Sequence, residues 1–259
     1  MRVVPVPCLK DNYAYLVISD QARAAIVDPG EADPVLDAVR REGVTLTQVW
    51  ATHHHMDHVG GVEELARALP GLTVVAHTSD RSRVAGATRF VDDGDTVELD
   101  AVRARIIHNP GHTLGAISYW IEDGAAVFTG DTLFGAGCGR LFEGTPAQMH
   151  RSLSRLTGLP ADTRVYFGHE YTESNLRFAA AVEPDSAAVA ERTARVQAAR
   201  AAGQPTTPST VAEERGSNPF ARSSAPTVRA AARQAEPDVD DADPTAVLGA
   251  IRRWKDRFR

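Results

Sequence analysis

Cysteine is nearly absent from this chain. Two occur in 259 residues, Cys8 and Cys138, and their wide separation rules out a disulfide framework. A basic excess is missing too. Lysine and arginine number 28 against 34 aspartates and glutamates, a net charge of −6, so the whole chain lacks the positive surface that a nucleic-acid backbone demands. A small anionic ligand stays open, because binding follows local charge and not the total. No run approaches the roughly 18 consecutive apolar residues that span a bilayer. The opening stretch MRVVPVPCLKDNYAYLVIS has neither the long apolar core nor the small-residue cleavage site of a secretory signal. The expectation is a cytoplasmic protein with two free thiols, probing neither membrane nor nucleic acid, and a monomer.

What is present is ordinary globular material, 43% hydrophobic and 24% charged, enough for one large domain or a large one with a small one. Short β-rich runs alternate with helical ones over the first two-thirds. Strands are predicted at 13–20, 24–30, 47–52, 72–77, 102–111, 117–123, 125–131 and 164–170, each rich in β-formers and closed by turn residues. Helices are predicted at 32–43, with apolar Val35, Leu36 and Val39 and a stop at Gly43, and at 62–69. The texture changes after Tyr171. Residues 174–203 are rich in Ala, Arg and Glu and read as helical, 203–227 as turn-rich, and 244–258 as an amphipathic helix with Asp243 as N-cap and Pro244 as its first residue. A mainly helical second domain is therefore expected from about residue 172.

The chemistry lies where strands end. Thr52-His-His-His-Met-Asp-His58 packs four histidines and an aspartate into seven residues. A histidine run can be a solvated loop, but this one is internal, follows an apolar strand and alternates as His53-x-His55-x-Asp57-His58. Three later fragments also follow strands: Pro110-Gly-His112, Gly130-Asp131 and Gly168-His169. With His54 set aside as an x position, together they offer five histidines and two aspartates without a cysteine. That nitrogen and oxygen set suits zinc, and equally manganese or iron. Side chains at strand ends converge on one edge of a layered α/β fold.

In these residues the sequence resembles the metallo-β-lactamase superfamily, whose H-x-H-x-D-H signature stands here as His53 to His58. The resemblance implies an α/β fold, a four-layer αββα sandwich over residues 1–171, with a smaller helical domain over 172–259. It implies two divalent metal ions, one held by His53, His55 and His112, the other by Asp57, His58 and His169, with Asp131 bridging them. His54, in an x position, is expected to be an outer contact or exposed. Two divalent cations, two aspartates and a hydroxide leave a positive centre, which favours a developing oxyanion over a neutral ground state. Metal coordination lowers the pKa of water toward about 7 and supplies hydroxide at neutral pH. No serine or cysteine nucleophile is needed.

Three further fragments resemble the glyoxalase II (hydroxyacylglutathione hydrolase) family. They are Gly137-Cys-Gly-Arg-Leu-Phe-Glu-Gly-Thr145, Gly168-His-Glu-Tyr-Thr172 with Ser174-Asn-Leu-Arg-Phe-Ala179, and the pair Asn218-Pro-Phe-Ala-Arg222 and Arg252-Arg-Trp-Lys-Asp-Arg-Phe258. The resemblance implies hydrolysis of S-D-lactoylglutathione to D-lactate and glutathione by a metal-bridging hydroxide, the second step of methylglyoxal detoxification. It implies that Arg140, Arg252 and Lys255 bind the glutathione moiety, with Tyr171 assisting. Arg140 stands where family members often have lysine. Phe142 stands where they often have tyrosine, so it keeps the ring without the hydroxyl. Arg252 and Lys255, three apart, share one helix face, a basic fork suited to a carboxylate. The alternatives are hydrolysis of another ester or lactone on the same fold, and a non-enzymatic dinuclear redox scaffold. Of the remaining candidates, His77 and His108 read as packed histidines and His150 as a helix surface residue. Cys138 reads as structural. Asp28 reads either as a partner of a metal ligand or as a turn cap.

Overall fold

The computed structural model describes residues 1–258. In chain order its first elements are β1 (Arg2–Cys8), β2 (Asn12–Ile18), β3 (Arg23–Val27), α1 (Ala32–Glu42), β4 (Thr45–Trp50), α2 (Met56–Val59), α3 (Val62–Ala68) and β5 (Thr73–His77). There follow β6 (Arg89–Val91), β7 (Thr96–Leu99), β8 (Val102–His108), β9 (Ile117–Ile121), β10 (Ala126–Gly130), β11 (Leu133–Phe134) and β12 (Gly137–Cys138). The remainder are α4 (Pro146–Thr157), β13 (Arg164–Phe167), α5 (Thr172–Val182), α6 (Ala187–Ala201), β14 (Ser209–Thr210), α7 (Val211–Ser217), α8 (Pro226–Ala235) and α9 (Pro244–Arg257). By compactness the chain divides into two units. The first holds residues 1–108, 114–130 and 166–169, and the second holds 109–113, 131–165 and 170 onward.

In the first unit one sheet runs β1-β2-β3-β4-β5-β6, antiparallel as far as β3 and parallel from β3 to β6. The other sheet places β7, β8, β9 and β10 side by side, with the Tyr166–Phe167 end of β13 next to β10. The two sheets pack face to face. Tyr15, Val17, Val27, Trp50 and Val75 of the first meet Leu99, Ile106, Tyr119, Phe128 and Tyr166 of the second, and Trp50 stacks on Tyr119 with centroids 5.2 Å apart. The opposite face of the first sheet is closed by Val35 and Ala38 of α1 and Val62 and Leu65 of α3. Because both its faces are covered, β2 is buried at all seven positions, which is why it reads as a continuous apolar run instead of an alternating one. The predicted α1 ends where Gly43 takes a left-handed φ of 64° and its N–H reaches the last carbonyls of the helix.

Two buried hydroxyls carry this sandwich to the loops that follow it. Tyr119 donates to the carbonyl of Ala51 (2.9 Å), just before the histidine run, and Tyr15 donates to that of Phe167 (2.6 Å), just before His169. A buried tyrosine hydroxyl needs an acceptor, and here both acceptors are the main chain at strand ends.

The second unit is mainly helical. Helix α4 opens with a capping box between Thr145 and Gln148, and α9 opens with Asp243 accepting from the N–H of Thr245, as predicted. The stretch 203–227 departs from the expectation of irregular turns. It contains β14 and α7, nucleated by a second capping box between Thr210 and Glu213. The run 174–203 breaks into α5 and α6 around Pro184, with Ser186 capping the second. At the centre of the unit Arg192 and Glu214 form a buried ion pair (2.6 Å).

Candidate metal centre

Each predicted fragment lies immediately beyond a strand: His53 to His58 after β4, His112 after β8, Asp131 after β10 and His169 after β13. The first unit brings together five of the seven residues. Asp57, His58 and His169 present one ligand atom each within a common small volume. His58 Nε2 lies 3.5 Å and His169 Nε2 3.3 Å from Asp57 Oδ2, and the two nitrogens are 3.3 Å apart. Bonds of about 2.0–2.2 Å from a tetrahedral ion to nitrogen and oxygen put ligand atoms about 3.3 Å from one another, so this triangle has the edge length that an ion requires. Beside it, His53 Nε2 and His55 Nδ1 are 3.2 Å apart. In the second unit His112 Nε2 and Asp131 Oδ2 are 3.5 Å apart.

The outer contacts show which nitrogens carry lone pairs. The Thr52 hydroxyl donates to Asp28 Oδ2 (2.7 Å), so its oxygen accepts from His53 Nδ1 (3.0 Å). His58 Nδ1 donates to the same Asp28 oxygen (3.0 Å). His169 Nδ1 donates to Asp11 (2.9 Å), and His112 Nδ1 to the carbonyl of Arg140 (2.8 Å). In all four rings Nδ1 is engaged by an acceptor, so in the neutral imidazole it is Nε2 that carries the lone pair. Unprotonated nitrogens and a carboxylate converging at 3.3–3.5 Å repel unless a cation lies among them, so the donor set fits a metal.

Asp28 thus acts as partner to two of the histidines and not merely as a turn cap, although its left-handed φ of 50° places it in a turn as well. It also accepts from the N–H of Thr52 (2.7 Å). Two residues escaped the sequence reading. Asn12 holds Asp57, its amide donating to the main-chain carbonyl and to Oδ2 of that residue, both at 3.1 Å. Asp11 orients His169. The signal was a polar Lys-Asp-Asn step at the head of an otherwise apolar strand, where a plain turn was the simpler reading. His54 is not exposed: its side chain is about nine-tenths buried beside Asp80. His77 and His108 stack at 4.3 Å, and burial together with the neighbouring His108 pushes the His77 pKa down. Cys138 is fully buried, and burial pushes its thiol up to about 11. A thiol held protonated in this way is no nucleophile.

The residues expected to bind substrate stand in the second unit in different states. Arg140 is exposed, 3.5 Å from Asp256. Phe142 is 61% exposed, its ring edge-on to His112 at 5.3 Å. Tyr171 is 38% exposed, with its ring against Phe134. Lys255 is half-buried and donates to the carbonyl of Ser174 (3.2 Å). Burial, with Arg252 and Arg177 nearby, lowers its pKa to about 8. Arg252 corrects the picture of an open fork. It is buried, donates to the carbonyl of Cys138 (2.8 Å) and to Asp256 (3.0 Å), and lies over the ring of Phe220. Helical spacing does put it beside Lys255, but on the inner edge of that face. Among the described residues no helix is long and apolar enough to cross a membrane.

Comparison with known proteins agrees with these features. The model of the metallo-beta-lactamase superfamily matches residues 10–169, and that of the hydroxyacylglutathione hydrolase C-terminus matches residues 170–258. The hydroxyacylglutathione hydrolase of Gloeobacter violaceus is 48% identical over 259 residues, covering all of both chains. Among solved structures, ETHE1 from Myxococcus xanthus is similar with a TM-score of 0.67 and 25% identity over the whole of both chains. TTHA1623 in a di-iron-bound form is 30% identical, with a TM-score of 0.54, over 65% of this chain and 92% of that one. The fold is that of the metallo-beta-lactamase superfamily, and the histidine and aspartate clusters fit a dinuclear metal site. The chain belongs to the hydroxyacylglutathione hydrolase family and is an enzyme of that family.

Proposed function

We propose that this chain hydrolyses S-(2-hydroxyacyl)glutathione thioesters, chiefly S-D-lactoylglutathione, releasing D-lactate and glutathione. Water adds across the C–S bond: the acyl carbon gains the oxygen and the thiol leaves with a proton. Two divalent ions, zinc in the first instance, would be held by His53, His55 and His112 and by Asp57, His58 and His169, with Asp131 available as a further carboxylate ligand. When bound, they supply hydroxide at neutral pH and positive charge for the oxyanion. The observation that carries this reading is the commitment of four Nδ1 protons to Thr52, Asp28, Asp11 and a main-chain carbonyl. That arrangement leaves the in-plane Nε2 of each ring to bind a cation. Neither thiol competes as nucleophile, since burial raises the pKa of both.

The helical part from residue 172 binds the glutathione. Arg140 and Lys255 attract its carboxylates, and Tyr171 and Phe142 pack against its apolar parts. Arg252, itself buried, fixes the Cys138 carbonyl and Asp256, so its contribution is to hold the binding surface. The protein works as a cytoplasmic monomer. The test is a comparison of rates for the zinc-loaded enzyme on S-D-lactoylglutathione, lactones and β-lactams. Thioester turnover well above the others is expected, and negligible thioester turnover by protein carrying two metals per chain overturns the reading.

A further inference from the structure

His54 is the one histidine of the cluster that the metal reading leaves without a ligand's part. It stands between His53 and His55, with its ring edge-on to that of His55 (5.0 Å, 73°). Its Nδ1 lies 3.3 Å from Oδ1 of Asp80. Asp80 follows β5, and its surroundings are unusual for a carboxylate. It is 1% exposed, and among the described residues neither of its oxygens takes a hydrogen bond. The guanidinium of Arg83 is farther, at 3.9 Å, and points from a half-open side chain. On the other side the backbone of Gly115 presses on it, so closely that an added Cβ would sit 2.6 Å from Cγ and from both oxygens. The main chain is fixed too, because the Asp80 carbonyl accepts from the N–H groups of Arg83 and Val84.

A carboxylate shut away from water without hydrogen bonds is destabilising, and a fold retains one where its position has a use. Here the buried charge is wedged between Gly115 and His54. The His54 main chain is continuous with the two residues that present Nε2 and Nδ1 to each other at 3.2 Å. The ring can turn about its own side-chain bonds without moving the backbone, so what a contact with buried Asp80 restrains is the position of the His54 Cα, and with it the two peptide units shared with His53 and His55.

We propose that Asp80 is a positioning residue for the metal centre, acting through His54 to fix the angle between His53 and His55. This rests on the metal-centre reading above. The test uses the full chain with Asp80→Ala, Asp80→Asn, His54→Phe and the double variant Asp80→Ala/His54→Phe. The readouts are zinc affinity by chelator competition, the visible absorption spectrum of the cobalt-substituted protein, and the unfolding midpoint. Asp80→Ala and His54→Phe should each weaken zinc binding about tenfold, the low end for residues behind a ligand, and should shift the cobalt bands. The double variant should be no worse than either single one. Asp80→Asn, which keeps the shape and an oxygen beside His54 Nδ1 but not the charge, should recover only part of the loss.

Wild-type affinity and spectrum in Asp80→Ala overturn the proposal, as do losses that simply add in the double variant. Should Asp80→Ala fail to fold, His54→Phe decides alone, and an unchanged cobalt spectrum there is fatal. A wild-type chain that takes up no cobalt would overturn the metal-centre reading itself, and this inference with it.

Discussion

Asp28 and His58, thirty residues apart, meet at 3.0 Å with the carboxylate oxygen facing the ring Nδ1. The same carboxylate takes the N–H and hydroxyl of Thr52, whose oxygen serves His53. One buried anion therefore sets the orientation and proton position of two histidines. Asp28→Asn is the clean variant, because asparagine tolerates the left-handed φ of 50° at this position. It should lower metal affinity about 10- to 100-fold with little change in the unfolding midpoint of the metal-free protein. Chelator competition reads the first and thermal unfolding the second.

Lys255 carries the pH prediction. Burial is the largest cause of its lowered pKa, followed by the charges of Arg252 and Arg177, and the value falls to about 8. The sign follows from a base: below about pH 8 the ammonium is charged and attracts a carboxylate, and above it the charge is lost. KM for glutathione thioesters should therefore rise as pH passes 8, while kcat follows the metal centre. Lys255→Ala should raise KM at pH 7 and flatten this limb of the profile. A profile identical to wild type would remove Lys255 from the binding surface.

Arg252 acts at one remove. Its NH1 serves the buried carbonyl of Cys138, 114 residues away. Arg252→Ala leaves that carbonyl without its donor and leaves Asp256 with the exposed Arg140 alone, at a cost of about 1–3 kcal/mol, read as a lower urea midpoint. Cys138 directly precedes Gly139 and Arg140, so KM should rise with metal content unchanged. Arg252→Lys, a single point charge in place of a fork, should restore only part of either effect.

How much of this was legible in the sequence depends on the kind of information involved. The candidate metal-binding residues are readable because they are short polar interruptions after apolar strands, a local pattern. The strand Arg2–Cys8 was not, since Pro5 and Pro7 argue against pairing. It forms because β1 is the edge of its sheet, where proline is tolerated. Asp11 and Asn12 lay outside reach for a different reason. Their partners His169 and Asp57 are 158 and 45 residues away, and nothing local marks such a pairing. The burial of Arg252 was hidden in the same way, because helical spacing fixes a face without saying what covers it.

Glu214 gives the sharpest stability prediction. Its side chain is fully buried with Arg192, and it accepts from Ser209, from the N–H of Ala136 and from the Asn218 amide. Burying such a pair is no measure of net stabilisation, because desolvation offsets the attraction. Removing one partner is another matter. Glu214→Ala leaves the buried Arg192 guanidinium with the Ser209 and Ser217 hydroxyls but without its carboxylate, and should cost about 3–5 kcal/mol in a denaturant titration. Replacing both residues with apolar ones, Arg192→Met with Glu214→Leu, removes the buried charge altogether and should recover a large part of that loss. Function separates the two effects. The Ala136 N–H and the Asn218 amide, which also donates to the Gly137 carbonyl (2.9 Å), lose their carboxylate in both variants. The doubly apolar protein should thus regain stability while KM for the thioester stays raised, since the segment leading to Arg140 has lost its anchor either way.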